Sequence, residues 1–255
     1  KKAYHYYVHG KDNIPFHTIV WPAILLGLSG LKLVDQIVSS EYLNYENQQF
    51  SKSRGIGIWL PDFLQKYEPD TLRYYLGING PENSDANFSM EAFVAKTNTE
   101  LLGKIGNFIN RSLSFTNTKF DGKVPPICSL DDHDTQMLTA CHTLFEGVGD
   151  LLEQAKFRDA FKAILHFAEE CNKYIDSKAP WKVVKADTLA AGQTLNVCLQ
   201  AVSAFQVVLS PLLPFTAEKI LPQLNVSART EWRFYELPIG HKIGGAQPLF
   251  QKIEA

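Results

Sequence analysis

Lys156–Ser177 reads KFRDAFKAILHFAEECNKYIDS, and its apolar positions Phe157, Phe161, Ile164, Ala168, Cys171 and Ile175 recur at alternating intervals of four and three residues. That period places them on one face of an α-helix longer than most globular helices. The same pattern extends outward in both directions. Asp131–Glu153 carries Met137, Cys141, Leu144, Val148 and Leu151 on one stripe. Upstream, Val94, Leu101, Ile105, Phe108 and Ser112 share a face; Ser89 stands at the expected N-cap and Glu91 in the first turn, where a carboxylate complements the helix dipole. Downstream, Leu189–Leu209 is a further helix, stopped by Pro211 and Pro214 and followed by a short one over Phe215–Leu224. Residues 88–224 therefore compose a helix bundle, and 225–255 form an irregular tail.

Before residue 88 the pattern is mixed, with short apolar runs punctuated by Gly, Pro and Asn. Tyr4–Val8 suits a buried strand. Ile14–Leu26 suits a helix with Pro15 in its first turn, where the missing N–H costs nothing. Together they make half of a βαβ unit. Gln36–Tyr45 and Gln49–Ser51 flank Glu46-Asn47 as strand, turn and strand, and Trp59–Tyr67 and Asp70–Leu76 are helical. The expected order is α/β followed by all-α, with boundaries at 1–34, 35–87, 88–224 and 225–255.

The chain has 255 residues, 45% hydrophobic and 20% charged, enough for one large or two modest domains with a sizeable core. Twenty-five Lys and Arg against 27 Asp and Glu give a net charge of -2, so no broad basic field attracts nucleic acid or an anionic membrane, and any RNA contact must be local. The most apolar stretch, 21–34, is interrupted by Pro22, Gly27, Ser29, Gly30 and Lys32 and falls short of the ~20 residues that span a bilayer. Four cysteines, Cys128, Cys141, Cys171 and Cys198, lie far apart without a Cys-x-x-Cys pair, which fits reduced thiols on helices and a cytoplasmic setting better than zinc or disulfides. The opening Lys1-Lys2-Ala3-Tyr4 has neither an initiator Met nor a signal-peptide core, and it reads as a piece of something longer.

Three constellations can carry chemistry. Phe50-Ser51-Lys52-Ser53-Arg54-Gly55-Ile56-Gly57 places two hydroxyls and two cations in a short loop ending in glycines, which suits anionic phosphate oxygens; composition alone equally describes a solvated basic turn, and the Gly-x4-Gly-Lys spacing of a P-loop is absent. Asp12 and His17 flank a strand-to-helix junction, where α/β proteins place ligands; a helix cap and a core histidine are the plain alternatives. Glu100, Lys104, Asn107 and Arg111 recur at i, i+4, i+7 and i+11. Asn and Arg one turn apart can read unstacked base edges, with Trp181 as a stacking platform; a Glu100–Lys104 ion pair on a solvated face and a packed tryptophan explain the same residues.

Taken together, Gly10–Ala23, Phe50–Gly55 and Pro69–Leu76, with Ala179-Pro180-Trp181, Gly240-His241-Lys242-Ile243 and Pro248-Leu249-Phe250, resemble methionyl-tRNA synthetases over essentially the whole chain. The resemblance implies the second half of a Rossmann catalytic domain, a KMSKS-type loop with a stem-contact region, an anticodon-binding helical bundle, and a C-terminal peptide that packs back on the body. It implies ATP with Mg2+, L-methionine and tRNA(Met) as reactants. Lys52, with Ser51 and Ser53, matches the motif that steadies pyrophosphate during adenylation. Gln49 stands where that motif has its first Lys and Phe50 where it has Met. Asp12 and His17 match the methionine site, and Trp21 reads as packing. Asn107, Arg111 and Trp181 match the positions that read the CAU anticodon. The HIGH-motif half and an inserted domain with its zinc knuckle would lie upstream of Lys1, which leaves this chain with no metal site of its own and inactive alone. The alternative is a non-catalytic RNA-binding module derived from a synthetase.

Overall fold

The computed structural model describes residues 3–28 and 30–254; Lys1, Lys2, Ser29 and Ala255, which fall within the expected spans 1–34 and 225–255, lie outside the described residues. The chain forms two compact units, one of Lys1–Trp59 with Asn79–Met90, the other of Leu60–Ile78 with Glu91–Ala255.

In the first unit, β1 (Tyr6–Gly10) pairs in parallel with β2 (Gln36–Ser40), Tyr6 opposite Gln36 and Gly10 opposite Ser40. Parallel neighbours need a crossover, and a 3-10 turn (Lys11–Asn13), a π-helical turn (Phe16–Val20) and α1 (Trp21–Gly27) supply it. Pro22 lies just inside α1. Its ring and missing N–H disturb the turn before it, and that turn is the widened one. The buried strand expected over Tyr4–Val8 is instead half bare: Tyr4, Tyr6 and Val8 are exposed, Val8 at 74%. The reason is that a parallel strand becomes buried only between two neighbours and under helices on both faces, whereas β1 has one neighbour, β2. Tyr7 and His9, on its other face, are half-buried.

The single strand expected over 36–45 is two strands in two sheets. Glu41 N–H donates to Pro81 O at 2.8 Å and Tyr42 N–H to Asp85 Oδ1 at 2.9 Å, which diverts the backbone. β3 (Leu43–Tyr45) then pairs antiparallel with β4 (Gln48–Gln49) and parallel with β5 (Ala86–Phe88). Glu46 and Asn47, at φ 45° and 62°, make the tight turn between β3 and β4. β5 was not expected, because Ser84–Phe88 lacks the two-residue alternation.

The second unit is helical. α2 (Leu60–Leu64) and α3 (Pro69–Ile78) precede a long rod made of α4 (Met90–Lys96), a π-helical segment (Thr97–Gly106) and α5 (Asn107–Lys119). There follow α6 (Asp132–Glu153), α7 (Phe157–Lys178), α8 (Pro180–Val183), α9 (Thr188–Leu209) and α10 (Pro214–Leu224). Leu101, Ile105, Phe108 and Leu113 of the rod join Ile164, Ala168 and Cys171 of α7 and Val202 and Phe205 of α9 in one core. From Thr194 to Leu209 every residue of α9 is buried, polar ones included. Those polar residues are partnered, as burial requires. Asn196 donates to Pro125 O at 2.7 Å, Gln200 exchanges two hydrogen bonds with the Leu237 backbone at 2.8 and 2.9 Å, and the Ser203 hydroxyl donates to Tyr235 O.

Cys141, Cys171 and Cys198 are buried free thiols on α6, α7 and α9, and burial pushes the Cys141 pKa up to about 12. Cys128 departs from the expected helical placement: it is exposed, in the connection before α6. No helix among the described residues is long and apolar enough to cross a membrane.

Two packing details carry measurable consequences. A Cβ on Gly77 of α3 would lie 2.1 Å from the Phe161 ring of α7, so Gly77→Ala should lower stability by about 1–3 kcal/mol through overpacking. Urea unfolding checks this, and an unchanged midpoint would refute it. At the start of α6, Asp131 and Asp134 form a reciprocal capping box, and Lys178 at the end of α7 reaches both carboxylates at 2.6 Å. Lys178 lowers the Asp131 pKa below the usual carboxylate range. At Asp134 burial acts upward, but Lys178, the Tyr174 hydroxyl, the Asp131 backbone N–H and Gln193 outweigh it and the net shift is downward. Carboxyls with depressed folded pKa values stabilise above their unfolded value of about 4 and lose that contribution as pH falls through the folded values. Lys178→Met should therefore cost on the order of 3 kcal/mol near pH 7 and clearly less near pH 3. Equal losses at the two pH values, measured by denaturant unfolding, would overturn this account.

Candidate functional site

The lysine loop grows out of the β3–β4 hairpin. Beyond β4, Ser51 and Ile56 exchange two backbone hydrogen bonds of 2.9 Å and Gly55 N–H donates to Lys52 O at 3.2 Å, closing Lys52-Ser53-Arg54-Gly55 into a tight tip. Gly55 has φ +67°, a conformation open to glycine at no steric cost. Gly57, at φ +142°, has no room for a side chain, because a Cβ there would meet the Phe50 ring at 2.7 Å. Phe50 thus anchors the loop from inside while Lys52, Ser53 and Arg54 stand exposed. The Ser51 and Ser53 hydroxyls are 3.3 Å apart, and the Lys52 ammonium has no hydrogen bond or ion pair among the described residues. An open hollow of about 350 Å³ is lined by Ser51, Lys52, Gly55, Gly57 and Trp59. Two hydroxyls, one mobile ammonium and accessible backbone make a donor-rich rim suited to an anion.

Asp12 and His17 sit at the β1 to α1 junction in the same unit, on different supports. The Asp12 carboxylate accepts the Tyr42 hydroxyl at 2.5 Å. His17 lies flat on His9, ring centroids 4.5 Å apart at 11°, and meets the edge of Tyr7 at 5.7 Å. Its Nδ1 is buried without a partner. Trp21 Nε1 donates to the Tyr7 hydroxyl at 2.8 Å, although its ring is 42% exposed. Sequence reasoning passed over His9 and Tyr42. Tyr7 and His9 stand two apart on β1 and so share a strand face, a signal that was available. Tyr42 has no such signal, because its contact depends on the break between β2 and β3.

Arg111 and Trp181 come together in the helical unit. The guanidinium carbon lies 4.9 Å from the Trp181 ring centroid, and Nη2 pairs with Asp176 at 2.6 Å. α7 delivers Trp181: Ala179 ends that helix in the left-handed region at φ 39°, and Pro180 starts α8. A hollow of about 240 Å³ opens beside them, lined by Arg111, Phe115, Thr118, Ile175 and Trp181. Asn107 is exposed one turn before Arg111. The Glu100–Lys104 pair expected from α-helical spacing does not form. The π-helical geometry of 97–106 changes the spacing, Lys104 pairs with Glu169 at 2.6 Å, and Glu100 accepts the Tyr74 hydroxyl. Among the described residues no three His, Cys, Asp or Glu side chains gather to hold a metal ion.

Comparison with known proteins gives concordant results. Residues 1–113 match the family model of class I tRNA synthetases of the methionine type, and residues 124–255 match the anticodon binding domain of methionyl tRNA ligase. The methionine–tRNA ligase of Bacillus mycoides is 39% identical over 254 residues, which is 100% of this chain and 46% of that protein. The methionine–tRNA ligase of Pyrococcus furiosus is 43% identical over 252 residues, 95% of this chain and 35% of that protein. Among solved structures, Mycobacterium tuberculosis methionyl-tRNA synthetase in complex with methionyl-adenylate superposes with a TM-score of 0.89 at 28% identity, covering 96% of this chain and 49% of that one. The apo form of that synthetase gives 0.88 at 26% identity, covering 98% and 50%. The chain thus spans about half, or less, of the length of these relatives. All of them are ligases or synthetases, which lends no support to a separate RNA-binding module. With one family model on the α/β region, another on the helical one, and relatives aligned across both, this chain belongs to the methionyl-tRNA ligase family.

Proposed function

We propose that this chain is the part of a methionine–tRNA ligase that supplies the lysine loop for methionyl-adenylate formation and the helical face that grips the anticodon of tRNA(Met). The observation that carries the reading is the closed hairpin tip that presents Lys52 between Ser51 and Ser53 over an open hollow. In the first step the methionine carboxylate attacks the α-phosphorus of ATP and the bond to pyrophosphate breaks. Negative charge grows on the departing oxygens, where the ammonium and two hydroxyls stabilise it. In the second step the terminal ribose hydroxyl of tRNA attacks the adenylate carbonyl and releases AMP. Asp12 and His17 would line the methionine site. The loop offers cations and hydroxyls rather than carboxylates, so Mg2+ fits here as the escort of ATP and not as a resident ion, and zinc would belong to the upstream insertion.

Asn107, Arg111 and Trp181 would read the anticodon by base-edge hydrogen bonds and stacking, which agrees with a net charge of -2 because specificity comes from bases rather than a phosphate field. The division of labour follows the spans 1–34 and 35–87 for catalysis and stem contact, 88–224 for the anticodon and 225–255 for the peptide that packs back. Ile14, Phe16, Ile19, Val20 and Ile24 leave a broad apolar surface on the first unit. Such a surface marks a contact, here with the upstream catalytic half, without which the chain would be inactive. Four free cysteines suit a reducing, cytoplasmic setting.

In a full-length ligase carrying this sequence, Lys52→Ala should lower ATP–pyrophosphate exchange by at least about tenfold with methionine affinity nearly unchanged; undiminished exchange would refute the role of the loop. Trp181→Ala or Arg111→Ala should weaken tRNA charging with little effect on adenylate formation. Equal losses in both assays would count against the separation of the two tasks.

A further inference from the structure

Tyr42 is unusually well fixed for a residue between strands. Its N–H donates to Asp85 Oδ1 at 2.9 Å, and its carbonyl accepts Ala86 N–H at 2.9 Å. The Lys11 ammonium lies 4.2 Å over its ring, and that ammonium is itself held by Glu41 at 2.5 Å and Asp85 at 3.1 Å. These carboxylates, Glu41 first, hold the Lys11 pKa above its ordinary value, so the cation persists across the working pH range. Backbone and ring are thus both pinned, and the hydroxyl can reach few places. It reaches Asp12, at 2.5 Å. That hydrogen bond raises the tyrosine pKa, which keeps the oxygen a donor.

Asp12 has little support of its own. It sits in the three-residue turn Lys11–Asn13, is exposed, and has Tyr42 as its one side-chain partner among the described residues. An exposed carboxylate on a short turn samples several rotamers unless another group selects one. A site group gains from being held in its working orientation before substrate arrives, because less freedom is then lost on binding.

We propose that Tyr42 is a positioning residue: its hydroxyl, held by the Lys11, Glu41 and Asp85 cluster, sets the orientation in which Asp12 meets the substrates of adenylation. The inference rests on the reading that places Asp12 in the amino-acid activation site. Lys11 takes part without touching Asp12 through its side chain, by pressing the Tyr42 ring into place and tying the turn that carries Asp12 to the segments that carry Glu41 and Asp85.

The test is steady-state ATP–pyrophosphate exchange in the full-length ligase carrying this sequence, with KM and kcat measured separately for methionine and ATP. Asp12→Ala should raise at least one KM by about fivefold or more. Tyr42→Phe, which keeps the ring and its place under Lys11 and removes only the hydroxyl, should raise that same KM at least about threefold with kcat within twofold. Tyr42→Phe added to Asp12→Ala should change nothing further, a non-additivity that a merely structural tyrosine would not produce. If Asp12→Ala raises a KM that Tyr42→Phe leaves alone, the positioning role is overturned and the site reading stands. An undiminished Tyr42→Phe effect in the Asp12→Ala background overturns it too. If Asp12→Ala moves neither KM, the placement of Asp12 in the site fails and the inference falls with it.

Discussion

The helical unit depends on the burial of α9. A helix buried on all sides must be apolar or must find a partner for every polar group it carries inward. α9 does both. Leu195, Leu199, Val202, Phe205 and Leu209 fill the core, while Asn196, Gln200 and Ser203 recur at i, i+4 and i+7 and bind the backbone of Pro125, Leu237 and Tyr235. A stripe of side chains therefore does for irregular chain what a neighbouring strand does inside a sheet, and segments without regular structure of their own can still lie against a core. Elsewhere the same economy recurs: the Asp70 carboxylate, itself buried, accepts Thr216 N–H at 2.6 Å and caps α10 from another helix.

The two candidate sites solve different physical problems. At the lysine loop the scaffold is strict and the functional groups are loose: backbone pairing, two positive-φ glycines and the Phe50 ring hold the tip, while the ammonium stays free to meet charge as it develops. At the helical face the functional groups themselves are engaged. The Arg111 guanidinium already lies on the Trp181 ring and against Asp176, so an incoming base would join or exchange partners in an existing stack rather than enter an empty slot. Loss of tightly placed contacts is then offset by contacts of the same kind, which favours discrimination between bases over raw affinity.

Much of this was legible in the residues. Periodicity located α6, α7 and α9 to within a residue or two, because each carries a long stripe on one face or an unbroken apolar run, and Pro211 and Pro214 marked the break before α10. The turn at Glu46-Asn47 was also visible. What failed to show had nonlocal causes. The exposure of β1 depends on how many strands flank it, and the break at Glu41-Tyr42 depends on Pro81 and Asp85, some forty residues away. The Glu100–Lys104 pairing failed because helical spacing was assumed where the helix is wider. Ser51, Lys52 and Ser53 looked like any basic turn in composition, and only the resemblance to synthetases gave them a role. Asn107, Arg111 and Trp181 stood out for the same reason, since two lie on one helix and the third arrives seventy residues later.

The π-helical stretch between α4 and α5 has a further bearing on how the chain can vary. Asn107 N–H reaches back to Leu102 O, five residues earlier, so the rod turns through a smaller angle per residue here than on either side. Residues beyond it inherit that angle. Removing one residue from 97–106 would swing Asn107 and Arg111 around the rod axis by roughly a quarter turn, whereas replacing one by another of similar size would leave their bearing intact. In this stretch the count of residues matters more than their identity, and insertions or deletions that a surface connection would absorb become rotations of the face downstream.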